Sequence, residues 1–112
     1  VQSLAEELTD LELLRLVEAG AGDERAAFTR FVRRHELVVR RFAGSIVASA
    51  DAADAVQETF LQVWRVSRAG NGFRGEGNVR SWLFTMARRA AWRRSRRRAG
   101  EPPQHDDVDA VI

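Results

Sequence analysis

An all-α fold, a single compact bundle of about four helices, is what this sequence predicts. Three observations point to it. Apolar residues recur at the 3.6-residue period in successive stretches of the chain. Capping residues, glycines and prolines fall between those stretches. No stretch reads as a convincing strand, and there is no internal repeat. The 112 residues suit one domain, and 45% hydrophobic content allows a modest core.

The first helix starts at Thr9-Asp10-Leu11-Glu12, a capping-box pattern, and carries Leu13, Leu14, Leu16 and Val17. Gly20-Ala21-Gly22 ends it. Asp23 is placed to cap a second helix, whose stripe runs Ala27, Phe28, Phe31, Val32, His35, Val38, Val39, Phe42 and Ile46. Ser49-Ala50-Asp51 reads as a break followed by a new N-cap. The third helix carries Val56, Phe60, Val63 and Trp64 on one face. Residues 68–78 hold four glycines and form a loop. Asn78 is placed to cap a fourth helix with Val79, Trp82, Leu83, Met86, Ala87 and Ala90 as its stripe. The predicted domain is 1–98. Residues 99–112, acidic and with two prolines, read as a linker.

Charge is distributed unevenly. Residues 77–100 contain eight arginines and no acid, whereas acids outnumber arginines sixteen to ten elsewhere. Such a segment seeks polyanions, of which nucleic acid is the commonest in a cell. All eighteen basic residues are arginine. Arginine presents a planar fork to phosphates and base edges, and the total lack of lysine also fits the codon usage of a GC-rich genome. Cysteine is absent, which excludes disulfides, thiolate metal sites and cysteine nucleophiles. A reducing cytoplasm fits that absence. No apolar run approaches a membrane span, and the first residues do not resemble a signal peptide.

The third helix has a second face. Asp54, Gln57, Glu58 and Leu61 lie within a sector of roughly 100°, away from Val56, Phe60 and Val63. An acidic, amide-bearing face suits a basic protein surface rather than DNA. The chain thus offers one surface for protein and another for nucleic acid.

That combination resembles region two of bacterial sigma factors, in particular the extracytoplasmic-function (ECF) group. The resemblance is carried by 51–65, with Asp54, Gln57-Glu58, Phe60 and Trp64-Arg65. It is carried also by Phe73-Arg74-Gly75, Trp82-Leu83 and Met86-Ala87-Arg88-Arg89, and by the opening of the second helix around 19–28. It covers about residues 9–98. It implies that Asp54, Gln57, Glu58 and Leu61 meet the clamp coiled coil of the largest subunit of core RNA polymerase. It implies that Phe73, Arg74, Asn78, Arg80, Arg88 and Arg89 face the minus-ten promoter element. In that family the loop reads a base extruded from the non-template strand, and an anti-sigma protein commonly holds the factor inactive. Arg89 and Arg93 stand where many relatives carry asparagine and an acid. Both add positive charge to the promoter-side helix and bear on its base preference. The family's second, helix-turn-helix domain is not in this sequence, and Ile112 falls inside what resembles the interdomain linker.

Arg93, Arg96 and Arg97 are candidate phosphate contacts, with a solvated helix end as the plainer alternative for the whole run Arg93–Arg98. Trp92 falls opposite Met86 and Ala90, among Arg88, Arg89 and Arg96. It suits stacking on a base, with packing on the N-terminal segment as the alternative. Trp64 and Trp82 suit the core, and Phe73 suits an anchor for its loop. His35 suits a hydrogen-bonded core position. His105 and its neighbouring acids do not suggest a metal site. Clustered histidines and carboxylates, a phosphate loop and a GxGxxG turn are all missing, so neither an enzyme nor a cofactor is predicted. Two rivals remain: a basic nucleic-acid module without a polymerase partner, and a helical interaction domain that meets an acidic protein or membrane surface.

Overall fold

The computed structural model describes residues 8–100. They form four helices in chain order: α1 (Asp10–Ala19), α2 (Glu24–Gly44), α3 (Ser49–Arg68) and α4 (Val79–Arg98). No strand occurs among the described residues. The acidic segment from Glu101 onward, with His105, lies outside them.

The start of α1 follows from its capping box. Thr9 Oγ1 accepts from the Glu12 amide at 3.1 Å, and Glu12 accepts from the Thr9 amide at 2.9 Å. These bonds hold the Glu12 carboxyl below its usual range. Gly20 ends the helix in the left-handed conformation, φ 61°. A side chain there would also collide with the Arg68 guanidinium. Arg68 itself donates to the Val17 carbonyl at 3.1 Å, tying the end of α3 to the end of α1.

Two expected caps are not made. Asp23 occupies the N-cap position of α2, but its side chain caps nothing. The Glu24 carboxylate accepts from the Gly22 amide at 2.8 Å instead. In α3 the N-cap is Ala48, and Asp51 lies inside the first turn. A guanidinium from α4 claims the Asp51 carboxylate. Asn78 does cap α4, accepting from the Arg80 amide at 2.8 Å.

The core lies where all four helices meet. Leu13, Val17, Phe31, Val39, Val63 and Leu83 are wholly buried. Trp64 meets Phe28 edge-on, and Phe31 meets Phe60, joining α2 to α3. Phe42 stacks on Phe84 at 4.4 Å and joins α2 to α4. His35 is 3% exposed, and its Nε2 donates to Asp10 Oδ1 at 2.8 Å. Val38 and Ile46, expected on the α2 stripe, are only half-buried. The fully buried residues at the end of that helix are Val39 and Ala43.

Helix α3 is buried over about half its circumference. Beyond Val56, Phe60 and Val63 it buries Ala52, Ala55 and Thr59, whose hydroxyl donates back to the Ala55 carbonyl at 2.6 Å. It therefore sits between α1 and α2 on one side and α4 on the other.

Candidate functional site

Three surfaces grow out of this frame. The first is the outward face of α3. Asp54 and Gln57 are exposed, Leu61 is 46% exposed, and Glu58 is half-buried. The buried residues of α3 fill the other half of the helix, so the core does not need these side chains. Asp54, Gln57 and Leu61 border a groove of about 510 Å³ whose apolar lining includes Phe28, Val32 and Phe60. An apolar groove with a carboxylate and an amide on its rim is suited to a helical partner with basic and aliphatic side chains.

The second surface is the loop between α3 and α4. Its glycines serve the loop's own packing. A side chain at Gly72 would run into Ser67, and one at Gly75, φ 88°, would run into Leu11. Phe73 is half-buried with its ring 5.5 Å from Trp82, so it anchors the loop. Arg74 is exposed beside it. The loop and α1 enclose a cavity of about 230 Å³ lined by Leu14, Arg15, Glu18, Ser67, Gly70, Gly72, Phe73 and Arg74. Ser67 is buried, and its hydroxyl has no partner among the described residues. Sequence reasoning missed Ser67, because a serine near a helix end is an ordinary capping or turn residue.

The third surface is α4, and the structure divides its arginines. Arg88, Arg89, Trp92 and Arg96 lie on the side away from the buried Leu83, Ala87, Ala90 and Ala91. Trp92 is 44% exposed, and the Arg88 guanidinium sits 5.6 Å from its ring centre. Asn78 and Arg80 are exposed at the start of the helix, the Asn78 side chain serving as its cap.

The remaining arginines turn inward onto α3. Arg98 grips Asp51 with two hydrogen bonds of 2.9 Å, from Nε to Oδ2 and from Nη2 to Oδ1. Arg94 lies 3.8 Å from Asp54. Glu58 receives Arg93 at 3.4 Å and Arg97 at 3.9 Å. The two helices run antiparallel, so acids at 51, 54 and 58 meet arginines at 98, 94 and 93 in reverse order. The Arg98 hydrogen bonds hold the Asp51 carboxyl below its usual range. Its 6% exposure opposes that shift, and the nearby arginine charge adds to it.

Arg98 is thus fixed in register, where the sequence suggests only a helix end with arginines spread around it. The acidic and basic surfaces also touch. Glu58 belongs to the face of Asp54, Gln57 and Leu61, and it also holds Arg93 and Arg97 of the proposed phosphate set. The acids and the arginines are plain in the sequence, but their pairing follows from how α3 and α4 pack.

Known proteins resemble this chain over most of its length. A family profile, Sigma-70 region 2, matches residues 31–101. The chain is 32% identical over 108 residues to the ECF RNA polymerase sigma-E factors of Escherichia coli K12 and Salmonella typhimurium, covering 96% of this chain and 53% of each relative. It is 31% identical over 103 residues to the ECF RNA polymerase sigma-E factor of Haemophilus influenzae, covering 92% of this chain and 51% of that protein. The chain spans about half the length of these curated relatives. With a two-faced α3, a glycine-rich loop and an arginine-bearing α4 all inside or beside the matched span, the chain belongs to the sigma-70 region 2 family.

Proposed function

We propose that the chain is the promoter-recognition domain of an alternative sigma factor of the ECF group. In this reading it binds core RNA polymerase through α3 and the minus-ten promoter element through the loop and α4. The observation that carries it is the division of α3. One helix contributes much of the core yet leaves Asp54, Gln57 and Leu61 outside it, beside an apolar groove. Gln57 and Leu61, which the core does not require, are available for a partner, and Asp54 is shared between that face and Arg94.

The clamp coiled coil of the largest polymerase subunit is the partner proposed for that groove. Non-template DNA is the partner proposed for Phe73, Arg74, Asn78, Arg80, Arg88, Arg89 and Trp92. The cavity beside Phe73 offers an extruded base a buried hydroxyl, Ser67, and an exposed guanidinium, Arg74. Trp92, already under Arg88, offers a stacking face. Arg93, Arg96 and Arg97 contribute positive field near the DNA, with Arg93 and Arg97 also tethered to Glu58. Promoter opening by such a surface uses binding energy and needs no catalytic side chain. The compartment is that of RNA polymerase, the cytoplasm, and an inhibitory anti-sigma protein belongs to the same reading.

Binding of the chain to immobilised core polymerase tests this. Gln57→Ala combined with Leu61→Ala should weaken capture at least tenfold with an unchanged helical circular-dichroism spectrum. Capture equal to wild type, or loss of the helical signal along with capture, would remove α3 as the docking face.

A further inference from the structure

Positive charge is concentrated on α2 as well as on α4. Arg30, Arg33, Arg34, Arg40 and Arg41 fall within roughly 120° of one another on the helical wheel. From residue 30 to 41 the one other side chain in that sector is Leu37, which is 55% exposed. Arg33, Arg40 and Arg41 are exposed and form no ion pair among the described residues. Within the stripe Arg30 stands three and four residues before Arg33 and Arg34, spacings at which like charges repel along a helix. The exposed Glu36 stands beside the stripe, three residues after Arg33 and four before Arg40, and makes no ion pair with either; the stripe, net positive, is suited to an external polyanion.

We propose that the outer face of α2 is a track for the phosphate backbone of promoter DNA, continuous with the start of α4. The proposal rests on the promoter-binding reading above. Arg34, at one edge of the stripe, lines the same cavity of about 500 Å³ as Asn78 and Arg80. The acid in that cavity, Asp10, is engaged by Arg34 at 3.2 Å and by His35 at 2.8 Å. The first turn of α4 there carries no acid, and a helix start favours phosphate. From Arg30 to Arg41 the helix advances roughly 16 Å, about five phosphate steps along one strand of duplex DNA. The opposite edge, at Arg40, borders the groove of Asp54, Gln57 and Leu61. The track therefore runs between the face proposed for polymerase and the residues proposed for the minus-ten element. A phosphate backbone requires arginine and does not require Leu37, whereas an acidic protein helix would bury it.

The test is a salt titration of promoter-fragment binding by the chain in complex with core polymerase. The variants are the Arg33→Ala, Arg40→Ala, Arg41→Ala triple, the corresponding triple Arg→Lys, Leu37→Ala and Arg74→Ala. The alanine triple should weaken binding to matched and scrambled minus-ten sequences equally. It should also flatten the slope of log affinity against log salt by roughly one unit for each phosphate no longer neutralised, up to about three. The lysine triple should restore the slope, and Leu37→Ala should change neither quantity. An alanine triple with wild-type affinity and slope overturns the proposal while leaving the promoter reading intact. Loss with Leu37→Ala equal to that of the triple also overturns it, in favour of an acidic protein partner. Selectivity lost in Arg74→Ala and kept in the triple separates base reading from backbone binding. A wild-type complex that does not bind the promoter fragment removes the promoter reading and this inference with it.

Discussion

The inner edge of α4 and the outer face of α2 carry the same side chain in opposite circumstances. Arg93, Arg94, Arg97 and Arg98 meet Glu58, Asp54 and Asp51 across an antiparallel helix pair. Arg33, Arg40 and Arg41 are exposed and make no ion pair among the described residues, although Glu36 stands beside two of them. Counting arginines along the sequence marks α4 as the basic element. Counting them together with what they touch moves part of the unmatched charge to α2. Local charge density in a sequence is therefore a poor guide to surface potential where a neighbouring helix can supply acids at the same pitch.

The largest expected effect comes from breaking the helix pair that makes the difference. Leu83 is wholly buried on α4. Leu83→Ala should cost about 2–5 kcal/mol in denaturant unfolding, because the cavity adds to the lost transfer free energy. It should also loosen the ion pairs at the far end of α4. A loss below about 1 kcal/mol would mean that α4 is not held by its apolar stripe.

A smaller effect is expected from Glu58→Ala. It removes the acceptor of both Arg93 and Arg97 and leaves the mostly buried Arg93 without its acid. The expected loss is about 1 kcal/mol. Gln57→Ala, one residue away and exposed, should stay within about 0.5 kcal/mol of wild type. Equal losses for the two variants would erase the distinction between tethered and free members of this face.

Acid sensitivity sharpens the same contrast. Arg98 holds the Asp51 carboxyl below its usual range, first by hydrogen bonding and further by its charge. The folded-state value lies below the unfolded one, so the stabilisation is present above about pH 4. It is lost as the pH falls through the folded-state value. The stability difference between wild type and Arg98→Ala should be constant from neutral pH down to about 5 and shrink at lower pH. A difference that persists unchanged well below pH 4, measured by denaturant unfolding across the range, would show that Asp51 is not the partner that matters.

The smallest effect is on α2. Replacing Arg33, Arg40 or Arg41 singly by alanine should stay within about 0.5 kcal/mol of wild type, since each is exposed and makes no ion pair among the described residues. Thermal melts of the three variants test this. A clear loss of stability would mean that the stripe is part of the fold after all.

Much of the fold was legible in the sequence. The capping box at Thr9, the glycine end at Gly20 and the cap at Asn78 are local signals, and each forms as expected. The stripes of α2 and α3 have enough large residues to set their phase. Other features were hidden because they depend on a second helix. Phe84 and Ala91 contribute to the packing of α4, yet neither belongs to the stripe read from Val79 to Ala90. Asp51 resembles a cap after a serine, and only the antiparallel neighbour turns its carboxylate to Arg98. The face of Asp54, Gln57 and Leu61 could be read because it lies opposite an unambiguous apolar stripe. The sharing of Glu58 between that face and the arginines of α4 could not. It follows from the distance between two helices, and one helix's periodicity does not contain it. The α2 stripe was legible in principle from its spacing, but the denser run at 93–98 masks it in any count along the chain.

A double-mutant cycle between Glu58 and Arg93, read by denaturant unfolding of the chain at low and high salt, tests the contrast between the two arginine sets most directly. Glu58→Ala, Arg93→Ala and the double variant should give a coupling of about 0.5–1 kcal/mol at low salt that weakens as salt is raised. A coupling of zero, with each single variant as stable as wild type, would contradict the claim that the α3 acids hold the arginines of α4.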